Sequence, residues 1–294
     1  MATVPTTPTA QQLEQWNEQG YFIVRNAIAR DDALEVRGVI RNHILTPDLE
    51  SRRDELDPMD PMGDSPEARQ ARLRKLGNFC SRSPLIWHTI HCNERPLAYA
   101  RHFLGDDILL KFNSCFLKPA RTGSATPWHQ DNGLWRDGET EPFNIWIAID
   151  PATRANGCMQ FIPRTHQGPV VEHVQYEGSV HAELPRDHVA AMIDKHGLAH
   201  IELDPGDMVC WHSSLCHYSP PNTSDQSRIA VAAVYTSPEV VARSKRFKNF
   251  QWCMKAGKVC EAFPPEMHVV GDGQTEPAEP PNKAEAGAQT TTGY

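Results

Sequence analysis

The chain has 294 residues, 22% of them charged, and a formal net charge of −8. That length can bury a full core, as one large domain or two small ones, while the acidic balance argues against nucleic acid as a main partner because neutralising phosphates takes clustered cations. No apolar run reaches the roughly 18 residues of a membrane span, and the start Met1-Ala-Thr-Val-Pro-Thr-Thr-Pro8 lacks the basic and apolar stretches of a secretory leader, so a cytoplasmic protein with no membrane contact is expected.

In chain order, Thr9 predicts a capped helix through Gln11–Gln19, ended by Gly20, and Tyr21–Val24 reads as a short strand. Asp31 or Asp32 predicts the cap of a second helix running to about His43. Residues 46–64, rich in Asp, Pro, Met and Glu without a clear period, predict a long loop or lid. Ser65 and Pro66 predict the start of a basic helix over Glu67–Leu76, and Pro96–Leu104 reads as another helix, stopped by Gly105.

From Ile108 the texture changes. Ile108–Leu117, Phe143–Ile149, Cys158–Ile162, Ala199–Leu203, Met208–Trp211 and Arg228–Thr236 are short β-like runs separated by turn clusters such as Arg154-Ala-Asn-Gly157 and Asp204-Pro-Gly-Asp207. Many short strands between Gly/Pro turns predict a sandwich or barrel rather than a parallel sheet. Residues 172–198, with weaker patterning and four histidines, read as an insertion of the kind that covers a site at a barrel mouth. The chain is therefore read as one mainly β domain with flanking helices over residues 1–270, with lid candidates at 46–64 and 172–198. A disordered Pro/Glu/Ala/Gly/Thr-rich tail is expected over 271–294. The eight cysteines include no Cys-x-x-Cys pair, so free and mostly buried thiols are expected.

The chemistry-bearing pattern is His129-Gln-Asp131, then His217, then Arg228. In an extended segment residues i and i+2 share a face, so His129 and Asp131 could reach one ion if Trp128–Asp131 is a strand. His217 is the best third ligand and His212 its rival. Two imidazoles and one carboxylate suit ferrous iron and leave coordination positions open. The plain alternative is a histidine hydrogen-bonded to a carboxylate in a turn. Arg228 enters the apolar run Ile229–Tyr235, where a guanidinium requires an anionic partner: either an internal Asp or Glu, or a bound carboxylate.

Taken together, several pieces resemble the phytanoyl-CoA dioxygenase family: Trp16-Asn-Glu-Gln-Gly-Tyr-Phe-Ile-Val24, Phe116-Leu-Lys-Pro119, His129-Gln-Asp131, Trp146-Ile-Ala-Ile-Asp150, Asn156-Gly-Cys-Met-Gln-Phe-Ile-Pro163 with Thr165-His166, Gly206-Asp207, His217-Tyr-Ser219 and Arg228. The resemblance implies a double-stranded β-helix (jelly-roll) core and an iron(II)- and 2-oxoglutarate-dependent dioxygenase that releases succinate and CO2 from 2-oxoglutarate and O2. It implies that His129, Asp131 and His217 bind iron and that Arg228 and Ser219 hold the distal carboxylate of 2-oxoglutarate. It also implies that Trp146 lines the co-substrate and that Ser114 or Asn113 faces it, the strand register being open. His166 is assigned to a structural turn. In related halogenases the position of Asp131 holds a small residue, so its carboxylate favours hydroxylation or another C–H oxidation over halogen transfer.

The expected substrate is a small molecule, with natural-product tailoring preferred. The alternatives are a fatty acyl-CoA, whose phosphates would need Arg52, Arg53, Arg69, Arg72, Arg74 and Lys75 or Arg243, Lys245, Arg246 and Lys248; a zinc hydrolase using the same three ligands; and a β-sandwich binding module without catalysis. His181, Tyr176, Phe79 and Trp135 are pocket-lining candidates. A homodimer in which the C-terminal region covers a neighbour's site is left open.

Overall fold

A computed structural model of the protein describes residues 7–46, 54–57, 65–135, 143–244 and 248–271. Most of the 46–64 lid, the basic residues Arg52, Arg53, Lys245 and Arg246, and the tail from 272 lie outside the described residues.

Helix α1 (Ala10–Gln19) starts as expected: the Thr9 hydroxyl accepts from the Gln12 N–H and the Gln12 side chain accepts from the Thr9 N–H. It ends at Gly20, whose φ of 85° suits glycine. Strand β1 (Tyr21–Val24) follows. Helix α2 (Arg30–Leu45) begins earlier than expected, with Ala29 at the cap position, and Asp31 and Asp32 sit in its first turn, where they stabilise the exposed N–H groups by charge.

After β2 (Asp54–Leu56), the helix expected over Glu67–Leu76 is cut short. Capped by Ser65, α3 covers only Pro66–Arg72, and Leu73–Gly77 is strand β3. Leu73 and Leu76 are fully buried there. Burying a leucine contributes about 1.5–3 kcal/mol, against helix-propensity differences of at most ~0.7 kcal/mol per residue among ordinary side chains, so sheet packing overrides the local preference.

The remaining elements are α4 (Pro84–Ile86), α5 (Glu94–Leu104), β4 (Ile108–Lys118), β5 (Thr126–His129), α6 (Asp131–Trp135), β6 (Phe143–Ala148), β7 (Met159–Phe161), α7 (Arg186–His196), β8 (Ala199–Ile201), β9 (Met208–His212), β10 (His217–Ser219), β11 (Arg228–Thr236), α8 (Pro238–Val241), β12 (Asn249–Lys255), β13 (Lys258–Val259) and β14 (Met267–Val269). Helix α7 lies inside the segment expected to be weakly patterned, and β12–β14 extend the sheet beyond the last strand expected from sequence.

The strands form a jelly roll of two facing antiparallel sheets. The larger runs β1-β9-β6-β11-β4-β12-β13, with β3 also on β4, β2 on β3 and β14 on β12; the smaller runs β5-β10-β7-β8. Strand β11 is central, and all nine of its residues are buried. Its register sorts the large sheet into two faces. Val231 and Ala233, with Cys115, Ile145 and Cys210, pack against α2 and α5 in the outer core. Ala230 and Ala232, with Trp146, Ala148 and Val209, face Met159, Phe161 and Ile201 of the small sheet. A strand buried on both faces reads as a continuous apolar run, as Ile229–Tyr235 does. All eight cysteines are free and seven are buried.

His91 is fully buried in a five-residue π-helical turn, and among the described residues neither ring nitrogen has a hydrogen-bond partner. Burial pushes its pKa down to about 3. The unfolded chain therefore binds a proton that the folded one refuses between the ordinary histidine value of about 6.5 and that depressed value, and stability is lost as pH falls through this window. His91→Leu is expected to stabilise the fold by about 1–3 kcal/mol and to flatten the acid limb of a plot of thermal midpoint against pH.

Candidate active site

Strands β5 and β10 set His129 directly opposite His217, with ring centroids 4.0 Å apart. Asp131 joins them by a route other than the strand alternation expected from sequence. The extended segment stops at His129, and Asp131 opens α6. A strand-to-helix turn brings its Oδ1 to 3.6 Å from His129 Nε2 and 3.8 Å from His217 Nε2. The three donor atoms lie within 4.8 Å of one another. The rival His212 is elsewhere: its Nδ1 accepts from the Ser214 N–H at 3.0 Å and its ring sits among Trp16 and His166.

Each donor is oriented by a second bond. His129 Nδ1 lies 2.7 Å from the Pro127 carbonyl and His217 Nδ1 lies 2.9 Å from that of Leu215. A carbonyl can only accept, so both protons sit on Nδ1 and both Nε2 lone pairs are left for an ion. Asp131 Oδ2 accepts from Asn144 Nδ2 (3.0 Å) and Trp211 Nε1 (3.1 Å), which leaves Oδ1 facing the imidazoles. Asn144 and Trp211 are ladder partners on β6 and β9, so both donors come from one row of the large sheet. Burial, followed by the neighbouring His217, holds His129 well below the usual histidine range, and burial pushes Asp131 above the usual carboxylate range. Two imidazoles that turn Nε2 inward beside a buried carboxylate fit a divalent cation, whose charge would compensate the carboxylate.

A second group of polar residues shares this interior. Arg228 and Lys118 are ladder partners, each 3% exposed. Arg228 Nη1 donates to Ser219 Oγ at 3.2 Å and to the Gly157 carbonyl, and its guanidinium lies 5.1 Å from the centre of the Trp146 ring. Lys118 Nζ donates to the carbonyls of Ser124 and Ser219. Burial, then the Arg228 charge, pushes Lys118 well below the usual lysine range, and burial pushes Arg228 down to about 10. Among the described residues neither cation has a carboxylate ion-pair partner, and Arg228 Nε and Ser114 Oγ are buried without hydrogen bonds. The register also separates the two candidates on β4. Ser114 pairs with Ala232 on the inner face, whereas Asn113 turns outward and accepts from the Cys80 N–H.

In the sequence, Lys118 stands out only as part of a motif. Its strand parity with Ser114 is a usable signal, but only once the register is known. Of the pocket candidates, His181 stands edge-on to His129 with centroids 4.8 Å apart, and Trp135 lies on α6 beneath Lys111. Tyr176 packs under Arg186, and Phe79 belongs to the outer core, so it does not line the interior. Arg74 and Lys75 are engaged by Glu55 at 2.7 and 2.6 Å. A separate surface groove, lined in part by Arg25, Arg30, Glu202 and Asp207, lies at the other end of β9 from Trp211 and shares no residue with the triad.

A jelly roll enclosing two histidines, one carboxylate and a buried arginine defines a protein of the non-haem metal-oxygenase type. The chain belongs to the phytanoyl-CoA dioxygenase (PhyH) family, whose model matches residues 16–230. It is 28% identical over 153 residues to L-proline trans-4-hydroxylase of Streptomyces griseoviridis, covering 46% of this chain and 57% of that protein. It is 25% identical over 251 residues to peroxisomal phytanoyl-CoA dioxygenase of Rattus norvegicus, covering 78% of this chain and 68% of that one. Among solved structures, EctD from S. alaskensis with 2-oxoglutarate and 5-hydroxyectoine superposes with a TM-score of 0.66 at 18% identity, covering 82% of this chain and 79% of that one. The carbocyclase SnoK from nogalamycin biosynthesis gives 0.64 at 15% identity, with 92% and 99% covered. At such identities the superpositions establish the shared fold.

Trp211→Phe keeps an aromatic ring but deletes the N–H to Asp131. It is expected to weaken divalent-metal binding by about 10–100-fold, measured by anaerobic metal titration at a temperature where the metal-free variant, which also loses buried packing, remains folded.

Proposed function

We propose that this protein is an iron(II)- and 2-oxoglutarate-dependent dioxygenase that oxidises a C–H bond of a small molecule. In this reading His129 Nε2, Asp131 Oδ1 and His217 Nε2 hold iron, and Arg228, Ser219 and Lys118 take the distal carboxylate of 2-oxoglutarate. The observation that carries it is the pair of buried cations with no carboxylate ion-pair partner among the described residues, in the same interior as three convergent donors. Burying such charge is unfavourable unless an anion arrives to meet it, and a dicarboxylate that also chelates the metal meets both needs.

Held by His129, Asp131 and His217, iron(II) with 2-oxoglutarate would supply the oxidising power for the C–H oxidation, with O2 consumed and 2-oxoglutarate converted to succinate and CO2. The protein positions and shields that chemistry. Trp146 places its ring face beside the guanidinium of Arg228. Ser219 Oγ donates to the Gly157 carbonyl at 3.0 Å, so its lone pairs face the Arg228 N–H. Ser114 Oγ supplies one further polar contact on the inner face. The apolar residues of the two facing sheets keep bulk water from the reacting atoms.

The engagement of Arg74 and Lys75 by Glu55 favours a small substrate without phosphates over an acyl-CoA. Natural-product tailoring is the preferred role. In support, the similarly folded carbocyclase SnoK comes from nogalamycin biosynthesis.

Reconstitution with iron(II) under anaerobic conditions, followed by O2 and 2-oxoglutarate, is expected to give O2 uptake matched by succinate; a zinc hydrolase would consume neither. Asp131→Ala should abolish succinate formation, and retention at the wild-type rate would remove Asp131 from the metal site. Arg228→Ala should raise the apparent KM for 2-oxoglutarate by at least about thirtyfold, the equivalent of the ~2 kcal/mol lower bound for a buried charge-assisted pair.

A further inference from the structure

The insertion at 172–198 reads from sequence as a cover for the site, but its base does something more specific. Strand β5 is the edge strand of the small sheet. His129 turns its backbone toward β10, so Trp128 and Gln130 on either side turn theirs toward the open edge. An unpaired edge leaves those groups without partners. The insertion provides them: the Leu184 N–H donates to the Trp128 carbonyl at 2.8 Å, and the Gln130 N–H donates to His173 Nε2 at 3.0 Å. A histidine side chain thus stands where a neighbouring strand's carbonyl would stand.

His173 engages both of its ring nitrogens. It is 1% exposed, and its Nδ1–H donates to the Val171 carbonyl at 2.9 Å, which fixes the Nε2 lone pair on Gln130. The peptide so held is the one between His129 and Asp131, where the chain turns from strand to helix. The Gln130 side chain reinforces the joint. Its Nε2 donates to the Ser214 carbonyl at 2.7 Å and its Oε1 accepts from the Val171 N–H at 2.8 Å, so the metal-ligand turn, the insertion and the loop leading to His217 meet there. Gly133 completes the fit, because a Cβ at that position would lie 2.1 Å from His173 Cε1.

We propose that His173 is a positioning residue of the metal centre: by accepting the Gln130 N–H it fixes the turn that aims His129 and Asp131 at one ion. The inference rests on the reading of His129, Asp131 and His217 as metal ligands. It couples the insertion to the metal, and coupling of binding free energies is reciprocal. Loss of His173 weakens metal binding, and metal binding protects the segment 174–184, pinned at its ends by the Val174–Glu183 bridge.

The test is an anaerobic titration of the full-length metal-free protein with cobalt(II), followed by its visible absorption, together with amide hydrogen exchange of segment 174–184 with and without manganese(II). His173→Ala is expected to raise the cobalt dissociation constant about 10–100-fold and to abolish the metal-induced protection. His173→Gln, whose side-chain carbonyl can take the place of Nε2, should restore most of the affinity. Gly133→Ala, which displaces the ring without deleting a polar group, should weaken binding as well and serves if His173→Ala does not fold. If the wild type binds no cobalt, the metal-site reading itself fails. If the wild type binds but His173→Ala binds equally well, or His173→Gln is no better than alanine, His173 has no positioning role and the ligand reading stands.

Discussion

Asp131, at the start of α6, links the two sheets. Its Oδ2 takes two N–H donors from one row of the large sheet, and its Oδ1 faces two imidazoles carried by the small sheet. A buried carboxylate needs each of its oxygens met, by hydrogen bonds or by a cation. The geometry of the interior follows from that requirement. The two sheets must lie at the spacing that lets one short side chain reach both, and the β5–β10 register must put His129 opposite His217. Asn144 and Trp211 must also share a row. A one-residue slip in either ladder would send a partner to the opposite face.

The same logic, with the sign of charge reversed, operates at Arg228 and Lys118. Two cations side by side in an apolar interior repel each other and lose their hydration. Protein carbonyls from Gly157, Ser124 and Ser219 partly replace that hydration but carry no compensating charge. A carboxylate oxygen facing two imidazoles, and two cations with no carboxylate ion-pair partner among the described residues, form a set complementary to a metal ion and an organic anion together. The fold holds these groups in place by burial on both faces of β11, where a continuous apolar run anchors the strand that begins with Arg228.

Much of the site is legible in the order of the residues alone. The capping box at Thr9 and the glycine stop at Gly20 are local devices whose energetics involve only neighbouring residues, and α1 forms where they indicate. The order and spacing of His129, Asp131, His217, Ser219 and Arg228 point to one interior because few functions require an arginine entering an apolar strand after a His-x-Asp and a distal histidine. Other features are not legible. Leu73–Gly77 has a helical texture but is a strand, because β4 offers it a ladder and a core. The His-x-Asp spacing suggests an extended segment, yet Asp131 begins a helix, and His173 carries no distinguishing mark in a histidine-rich insertion. Ser114 and Asn113 are indistinguishable in sequence, since adjacent strand residues differ only in the face they turn inward.

The sequence by itself determined the inventory: which side chains can hold a metal, which can hold a carboxylate, and that short strands would form the framework carrying them. Those conclusions depend on residue chemistry and short-range pattern, which one chain displays in full. Only the tertiary structure decided which oxygen of Asp131 stays available, which ring nitrogen of each histidine bears the proton, which of two adjacent β4 residues faces inward, and which distant histidine accepts the Gln130 N–H. The histidine protons are set by carbonyls two residues away, held to the rings by the folded backbone; the others are set by hydrogen bonds or ladder pairings between residues far apart in sequence, partners specified only when the strands have closed on one another.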